Sequence, residues 1–344
     1  MNRDARGPTR SSQECAGEPP ARPDHLPSAT LAALRFRAEL LKRLRAFFDD
    51  RGFLEVDTPI LSADTVVDRH LDAFSTELPC GPGRPPRRLW LHTSPEFHMK
   101  RLLAAGAEAI YQFAHVFRQG EIGPLHNPEF TMLEWYRAGD GPEQGMLLLS
   151  DLCEATLGRG PAEQVSYREA FEHRVGLDPL ASPTDALVAR CRELGLAVPL
   201  GFAEDDRDSW LDFLLTECVQ AHLGRPRPAI LYDYPASQAM LARVRGGDPP
   251  VAERFELYVD GIELANGYHE LLDAAELRRR NRAVNAQRVA DGNAPLPEES
   301  RLLAAMEAGL PSAVGVALGF DRLVMLAFGA KTLGQVLAFP IDRA

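Results

Sequence analysis

The chain has 344 residues, 45% of them hydrophobic and 25% charged, a balance that supports a packed core and excludes global disorder. Its 38 basic and 49 acidic residues leave a net charge of −11, which repels phosphate backbones and anionic lipids and so disfavours broad nucleic-acid or membrane binding. Five cysteines (Cys15, Cys80, Cys153, Cys191, Cys218) show no zinc or C-x-x-C spacing, as expected of idle or buried thiols in a reducing compartment. No apolar run approaches the ~18 to 20 residues of a membrane span, and the arginine-bearing N-terminus lacks the apolar stretch of a secretory signal. A soluble, cytosolic protein is expected. The length suits about two domains of ~150 residues, or one large domain with insertions.

Residues 1–27 carry five prolines among small and charged residues, a composition that predicts a disordered tail; residues 28–344 are expected to form the folded domain. Leu40, Leu41, Leu44, Phe47 and Phe48 recur at helical spacing before Gly52. Phe53 to Thr58 alternates as an edge strand closed by Pro59. Thr93-Ser94-Pro95-Glu96 opens a helix through Lys100 and Leu103, with Glu96 completing a capping-box pattern with Thr93. Ile110 to Arg118 and Phe130 to Arg137 read as two strands joined by the loop Gln119 to Pro128. Residues 141–250 read as a mostly helical insertion, with Leu211, Leu214, Leu215, Cys218 and Val219 on one face. Asp260-Gly261 is the preferred two-residue turn of a hairpin starting at Arg254. Residues 276–290 predict a charged helix with a solvated face, Val314 to Leu318 a strand, and Phe320 to Phe328 a helix. Hairpins with interspersed helices predict an α+β fold, an antiparallel sheet flanked by helices.

Three constellations carry candidate chemistry. The Asp260-Gly261 turn sets Val259 opposite Ile262, Tyr258 opposite Glu263 and Glu256 opposite Ala265, so Glu256 and Glu263 lie diagonally on one face, within reach of a common cation. Hard oxygen ligands favour Mg²⁺, held by one or two carboxylates plus substrate phosphates; two solvent-facing glutamates are the plain alternative. Glu270 falls on the other face under strict alternation, and a bulge at Asn266-Gly267 would restore it. On the second hairpin Phe130, Met132, Glu134 and Tyr136 share a face, which suits either core packing or a ring, carboxylate and phenol that bind a base and an ammonium group. Arg118 ends the incoming strand, and arginine suits a phosphate or carboxylate. Finally, in Gly315-Val316-Ala317-Leu318-Gly319-Phe320-Asp321-Arg322, glycine permits close backbone approach and Arg322 enters the first helical turn, a polyphosphate-type arrangement or simply a tight turn.

Together these segments resemble the catalytic core of a class II aminoacyl-tRNA synthetase of the lysyl type. The first helix, strand and Pro59 resemble motif 1, a dimer interface. Phe117-Arg118 with His126-Asn127-Pro128-Glu129-Phe130 resembles motif 2, and Gly319-Phe320-Asp321-Arg322 resembles motif 3. Lysyl-tRNA synthetases carry an N-terminal OB-fold domain, which the roughly 30 mostly disordered residues ahead of this core are not expected to build. A core of this length with Ser94 and Ala317, where those synthetases usually have alanine and glycine, resembles the elongation factor P lysyltransferases.

That resemblance implies ATP-dependent activation of (R)-β-lysine with Mg²⁺, then transfer to a lysine side chain of elongation factor P, by a cytoplasmic homodimer without tRNA. It implies Arg118 and Arg322 as catalytic residues. Arg118, Gln119, Gly120, His126, Asn127, Phe130, Glu263, Leu264, Gly319 and Arg322 would bind ATP. Ser94, Pro95, Glu96, Glu134, Tyr136, Glu270 and Ala317 would bind the amino acid, and Glu256 and Glu263 the metal. Gly120 departs from the Glu common two positions after the motif 2 arginine, leaving adenine recognition to backbone or to Glu121. A truncated lysyl-tRNA synthetase and an inactive regulatory paralogue are the competing readings.

Overall fold

A computed structural model describes Pro23, residues 25–199 and residues 202–344. Most of the expected tail, and Cys15 with it, lies outside the described residues.

Helix α1 (Leu31–Asp49) starts where the Thr30 hydroxyl accepts the Ala33 N–H, and it buries Leu40, Leu44, Phe47 and Phe48. The strand expected over Phe53–Thr58 shrinks to β1 (Leu54–Glu55), which pairs in parallel with the chain at Ile110 and Tyr111. Thr58 gives its hydroxyl to Gln112 instead of the ladder, and Pro59 has no N–H to donate. Strands β2 (Leu61–Ser62), β3 (Ser75–Leu78) and β4 (Arg87–Leu91) form a small separate sheet. Helix α2 (Glu96–Ala104) leads into the hairpin β5 (Ala109–Phe117) and β6 (Glu129–Ala138), followed by α3 (Pro142–Leu157).

The stretch expected as a helical insertion carries α3, α4 (Tyr167–Arg174), α5 (Thr184–Glu193) and α6 (Arg207–Leu214), but also β7 (Glu163–Ser166) and β8 (Ala229–Pro235). These two strands extend the main sheet. The short β9 (Val244–Arg245) precedes the long hairpin β10 (Val251–Val259) and β11 (Ile262–His269). Helices α7 (Ala274–Ala290) and α8 (Arg301–Gly309), strand β12 (Ala313–Gly319) and helix α9 (Phe320–Phe328) follow.

The main sheet runs β1-β5-β6-β12-β11-β10-β8-β7, with β9 on β10. Its pairs are antiparallel except β1–β5 and β7–β8, so the α+β expectation holds. Because side chains alternate along a strand, the sheet has two distinct faces. One carries Tyr111, Leu133, Trp135, Phe255, Leu257, Val314, Val316 and Leu318 into the main core with residues of α1, α3 and α9; Phe48 stacks on Tyr111 with ring centroids 4.6 Å apart. The other face is covered near β8 by the apolar cluster of α4–α6, and beside β5 and β6 by that of α2, α7 and α8. Between these two covers lies a cavity of about 280 Å³.

Helix α7 is not simply solvated. Asn281, Asn285 and Arg288 are buried, and Arg288 donates to the Asp68 carbonyl and, at 2.7 Å, to the Asp72 carboxylate. Cys80, Cys153, Cys191 and Cys218 are free thiols. Among the described residues no helix is long and apolar enough to cross a membrane.

Candidate active site

The cavity floor is β12, whose small residues let its neighbours approach. Gly315 lies between Tyr136 of β6 and Tyr268 of β11, and Ala317 between Glu134 and Asn266. A Cβ on Gly315 would meet the Tyr136 ring at 2.2 Å and Glu270 Oε1 at 2.3 Å, so only glycine leaves room for both. The Ala317 methyl projects on the same face, into the cavity wall.

The hairpin β10–β11 keeps the expected Val259–Ile262 and Tyr258–Glu263 pairs, but Glu256 faces Asn266 and not Ala265. The extra residue is Leu264, whose side chain is buried in the main core. The parity flip expected at Asn266-Gly267 therefore occurs at Leu264. It turns Glu263, Asn266, Tyr268 and Glu270 to the cavity together.

At one end of the cavity the carboxylates Glu96, Glu134 and Glu270 converge. Glu134 accepts Tyr136 OH at 2.6 Å and Ser94 Oγ at 2.7 Å. Burial and the neighbouring Glu96 push its carboxyl up to about 7, against the pull of those bonds and of Lys100. Glu270 is pushed up to about 8 by burial, with Lys100 opposing and Glu96 adding. Glu96 does not form the expected capping box with Thr93; its carboxylate takes Lys100 Nζ at 2.5 Å, and the Ser94 hydroxyl caps by accepting the Glu96 N–H. Pro95 precedes the helix and does not line the cavity.

At the other end are the cations. Arg118 lies with its guanidinium 5.2 Å from the centroid of the Phe130 ring, and donates to the Thr93 carbonyl and to Glu121. Arg322 reaches from the first turn of α9 to the Leu125 carbonyl, the Glu263 carbonyl at 2.9 Å and His126 Nε2 at 2.7 Å. One side chain thus ties the motif 2 loop to the β10–β11 hairpin. Burial, then Arg322, hold His126 below its ordinary value and neutral. Asn127 is held by the Glu129 carbonyl and the Ile341 N–H, and it lines the cavity with Leu264 and Gly319.

Glu263 is pushed up to about 7 by burial and by Glu256, with Arg322, Arg254 and Arg118 opposing. Its carboxylate receives no hydrogen bond from the described residues. A buried carboxylate without a hydrogen-bond donor suits a hard divalent cation that takes its other ligands from phosphates. No group of three His, Cys, Asp or Glu at metal-binding distance occurs among the described residues. Glu256 contributes less than expected. It lies outside the cavity wall and accepts Arg254, Tyr234 and Tyr258, each at 2.5 Å; three of its roughly four acceptor positions are therefore used. Gln119 and Gly120 lie apart from the other expected nucleotide residues: Gln119 donates to the Ala73 carbonyl at 2.9 Å, and neither residue lines the cavity.

The residues missed are Lys100, Asn266 and Tyr268. Lys100 lies four residues after Glu96, a spacing that pairs opposite charges on a helix. Asn266 directs a buried Oδ1 that has no partner, while its amide donates to Tyr268 OH.

A family model described as tRNA synthetases class II (D, K and N) matches residues 26–343, and the chain belongs to that family. Membership implies the use of ATP. Within the class, the chain is 47% identical over 318 residues to the elongation factor P--(R)-beta-lysine ligase of Mannheimia succiniciproducens, covering 92% of this chain and 98% of that one. It is 48% identical over 319 residues to the protein of that name from Klebsiella pneumoniae, with the same coverage. To that of Vibrio vulnificus it is 48% identical over 322 residues, covering 93% and 99%.

Proposed function

We propose that this protein is a ligase that activates (R)-β-lysine with ATP and transfers it to a lysine side chain of elongation factor P. The observation that carries the reading is one cavity with a three-carboxylate end built for ammonium groups and a two-arginine end built for phosphates. The relatives' printed names supply the particular amino acid and acceptor.

In the first step the β-lysine carboxylate attacks the α-phosphorus, a new O–P bond forms, and pyrophosphate leaves. Arg118 aligns the carboxylate with the α-phosphate and offsets charge there; Arg322 holds the pyrophosphate end. Phe130, His126, Asn127, Leu264 and Gly319 form the nucleotide's walls. Ser94, Glu96, Glu134, Tyr136 and Glu270 bind the two ammonium groups, and the Ala317 methyl narrows the floor between them. Glu263, with Glu256 behind it, would hold Mg²⁺, which when bound neutralises polyphosphate charge. In the second step the neutral acceptor amine attacks the acyl carbon. A C–N bond forms, AMP leaves with the C–O bond electrons, and the amine gives up a proton.

We assign residues 28–344 to one catalytic unit acting in the cytoplasm. A homodimer is supported by exposed Leu54, Ile60 and Leu61 just after α1, on the segment that resembles motif 1. The acidic net charge speaks against tRNA as acceptor. Pyrophosphate exchange into ATP tests the reading. Exchange driven by (R)-β-lysine far better than by α-lysine is expected; exchange with neither would revive the inactive paralogue.

A further inference from the structure

Lys100 belongs to no nucleotide or amino acid subsite, yet it sits directly behind the carboxylate end of the cavity. Its side chain is 2% exposed and does not line the cavity. Its Nζ bridges Glu96 Oε1 on its own helix, at 2.5 Å, and Glu270 Oε2 at the end of β11. Each carboxylate therefore commits one oxygen to Lys100. On Glu270 the other, Oε1, is the oxygen that lies against Gly315 on the cavity floor.

The charge count gives the bridge a second consequence. Glu96, Glu134 and Glu270 ionised, set against one ammonium, leave two negative charges. A diamino acid whose carboxylate is held at Arg118 presents two ammonium groups to them. Were the internal cation absent, three clustered carboxylates would retain a proton even with such a substrate bound, because close like charges do not all ionise in a buried site.

We propose that Lys100 is a positioning and specificity-determining residue, fixing the directions of Glu96 and Glu270 and setting the carboxylate cluster to the charge that a dicationic amino acid balances. This rests on assigning that end of the cavity to a diamino acid. It also accounts for a primary amine persisting where an acyl adenylate forms. Burial would favour neutral Lys100, but Glu270 and Glu96 overcome it and hold the ammonium well above its ordinary range, so it has no lone pair with which to attack.

Lys100 lowers the carboxyls of both Glu134 and Glu270; removing its charge would raise both. The other polar groups facing the cluster are Tyr136, Tyr268, Ser94 and Arg243, whose guanidinium donates to the Glu270 carbonyl. Arg243 is a cation, but its guanidinium is committed to the Glu270 carbonyl and the Ser312 hydroxyl and pairs with no carboxylate of the cluster, so it does not take the place of Lys100.

The test is pyrophosphate exchange from pH 6 to pH 9 with the wild type, Lys100→Met, Lys100→Gln and Lys100→Arg, measuring KM for β-lysine and for ATP separately. For the neutral variants, KM for β-lysine should rise about tenfold at pH 7, equivalent to about 1.4 kcal/mol. The excess should shrink toward pH 9 as the carboxyls ionise, with KM for ATP unchanged; Lys100→Arg should restore the wild-type pH midpoint. Lys100→Gln, whose amide can donate to both carboxylates, carries the comparison if Lys100→Met does not fold. Neutral variants with the wild-type pH midpoint and KM but a lower melting temperature would overturn the proposal and leave Lys100 as a structural ion pair. A wild type that exchanges with no diamino acid would instead overturn the functional reading beneath it.

Discussion

Ser94 donates its hydroxyl to Glu134 across 2.7 Å, joining the turn before α2 to the middle of β6. That bond opposes the burial that raises Glu134. Ser94→Ala should therefore leave the carboxyl more protonated and its ammonium site weaker. The expected result is a rise of about tenfold in KM for β-lysine at pH 7, from loss of a charge-assisted bond of about 1.5 kcal/mol. The exchange kcat should change little, and steady-state kinetics check both values.

Gly315 gives a sharper prediction, because a Cβ there would lie inside van der Waals distance of both Tyr136 and Glu270. Strand β12 is paired on both sides and does not shift freely. Gly315→Ala should cost about 1–3 kcal/mol of stability, the usual effect of overpacking. It should abolish β-lysine binding while leaving ATP binding near wild type, as calorimetric titration with each ligand would reveal.

Alternation along β6 was enough to sort Glu134 and Tyr136 from Leu133 and Trp135, because each face meets a different environment. The Asp260-Gly261 turn likewise set the first two pairs of the β10–β11 hairpin. The bulge position was not legible. Asn266-Gly267 has the composition of a bulge, but the packing of Leu264 into the main core decides where the extra residue falls. Lys100 was hidden for a related reason. A lysine is expected in solvent, and only the fold shows that Glu270, 170 residues along the chain, closes over it. Gln119 and Gly120 follow Arg118 in sequence, but the turn at Gly120, with φ of +78°, carries them away from the cavity.

Proton release provides a test of the cavity's electrostatics. Glu134 at about 7 and Glu270 at about 8 retain protons near neutrality, and an ammonium ligand favours their ionised forms. β-Lysine binding should release protons at pH 7, and affinity should rise with pH and level off above about 8. Calorimetry at pH 7 in buffers of different ionisation enthalpy checks the release. The linkage also applies to folding. A carboxyl raised on folding stabilises fully below its unfolded value near 4.5, and that contribution is lost as pH rises through the folded value. Without ligands, the wild type should therefore lose stability relative to Glu270→Gln between about pH 5 and pH 8, as denaturant titrations at several pH values would report.

Arg322 joins the Leu125 carbonyl, the Glu263 carbonyl and His126 through three nitrogens, a fork that lysine does not reproduce. Arg322→Lys should lower kcat/KM for pyrophosphate exchange about 10²- to 10³-fold, the scale seen when a fixed donor to developing charge is lost. Exchange kinetics with saturating β-lysine and varied ATP test it, with a melting curve to verify the fold.

The central claim is that this cavity makes an aminoacyl adenylate for delivery to a protein lysine. Its most direct test is intact-mass spectrometry of unmodified elongation factor P after incubation with the enzyme, ATP, Mg²⁺ and (R)-β-lysine. The account predicts a mass gain of a single β-lysyl group on one lysine side chain, dependent on ATP and lost in Arg118→Ala. An unchanged factor, under conditions where the enzyme exchanges pyrophosphate with β-lysine, would contradict it.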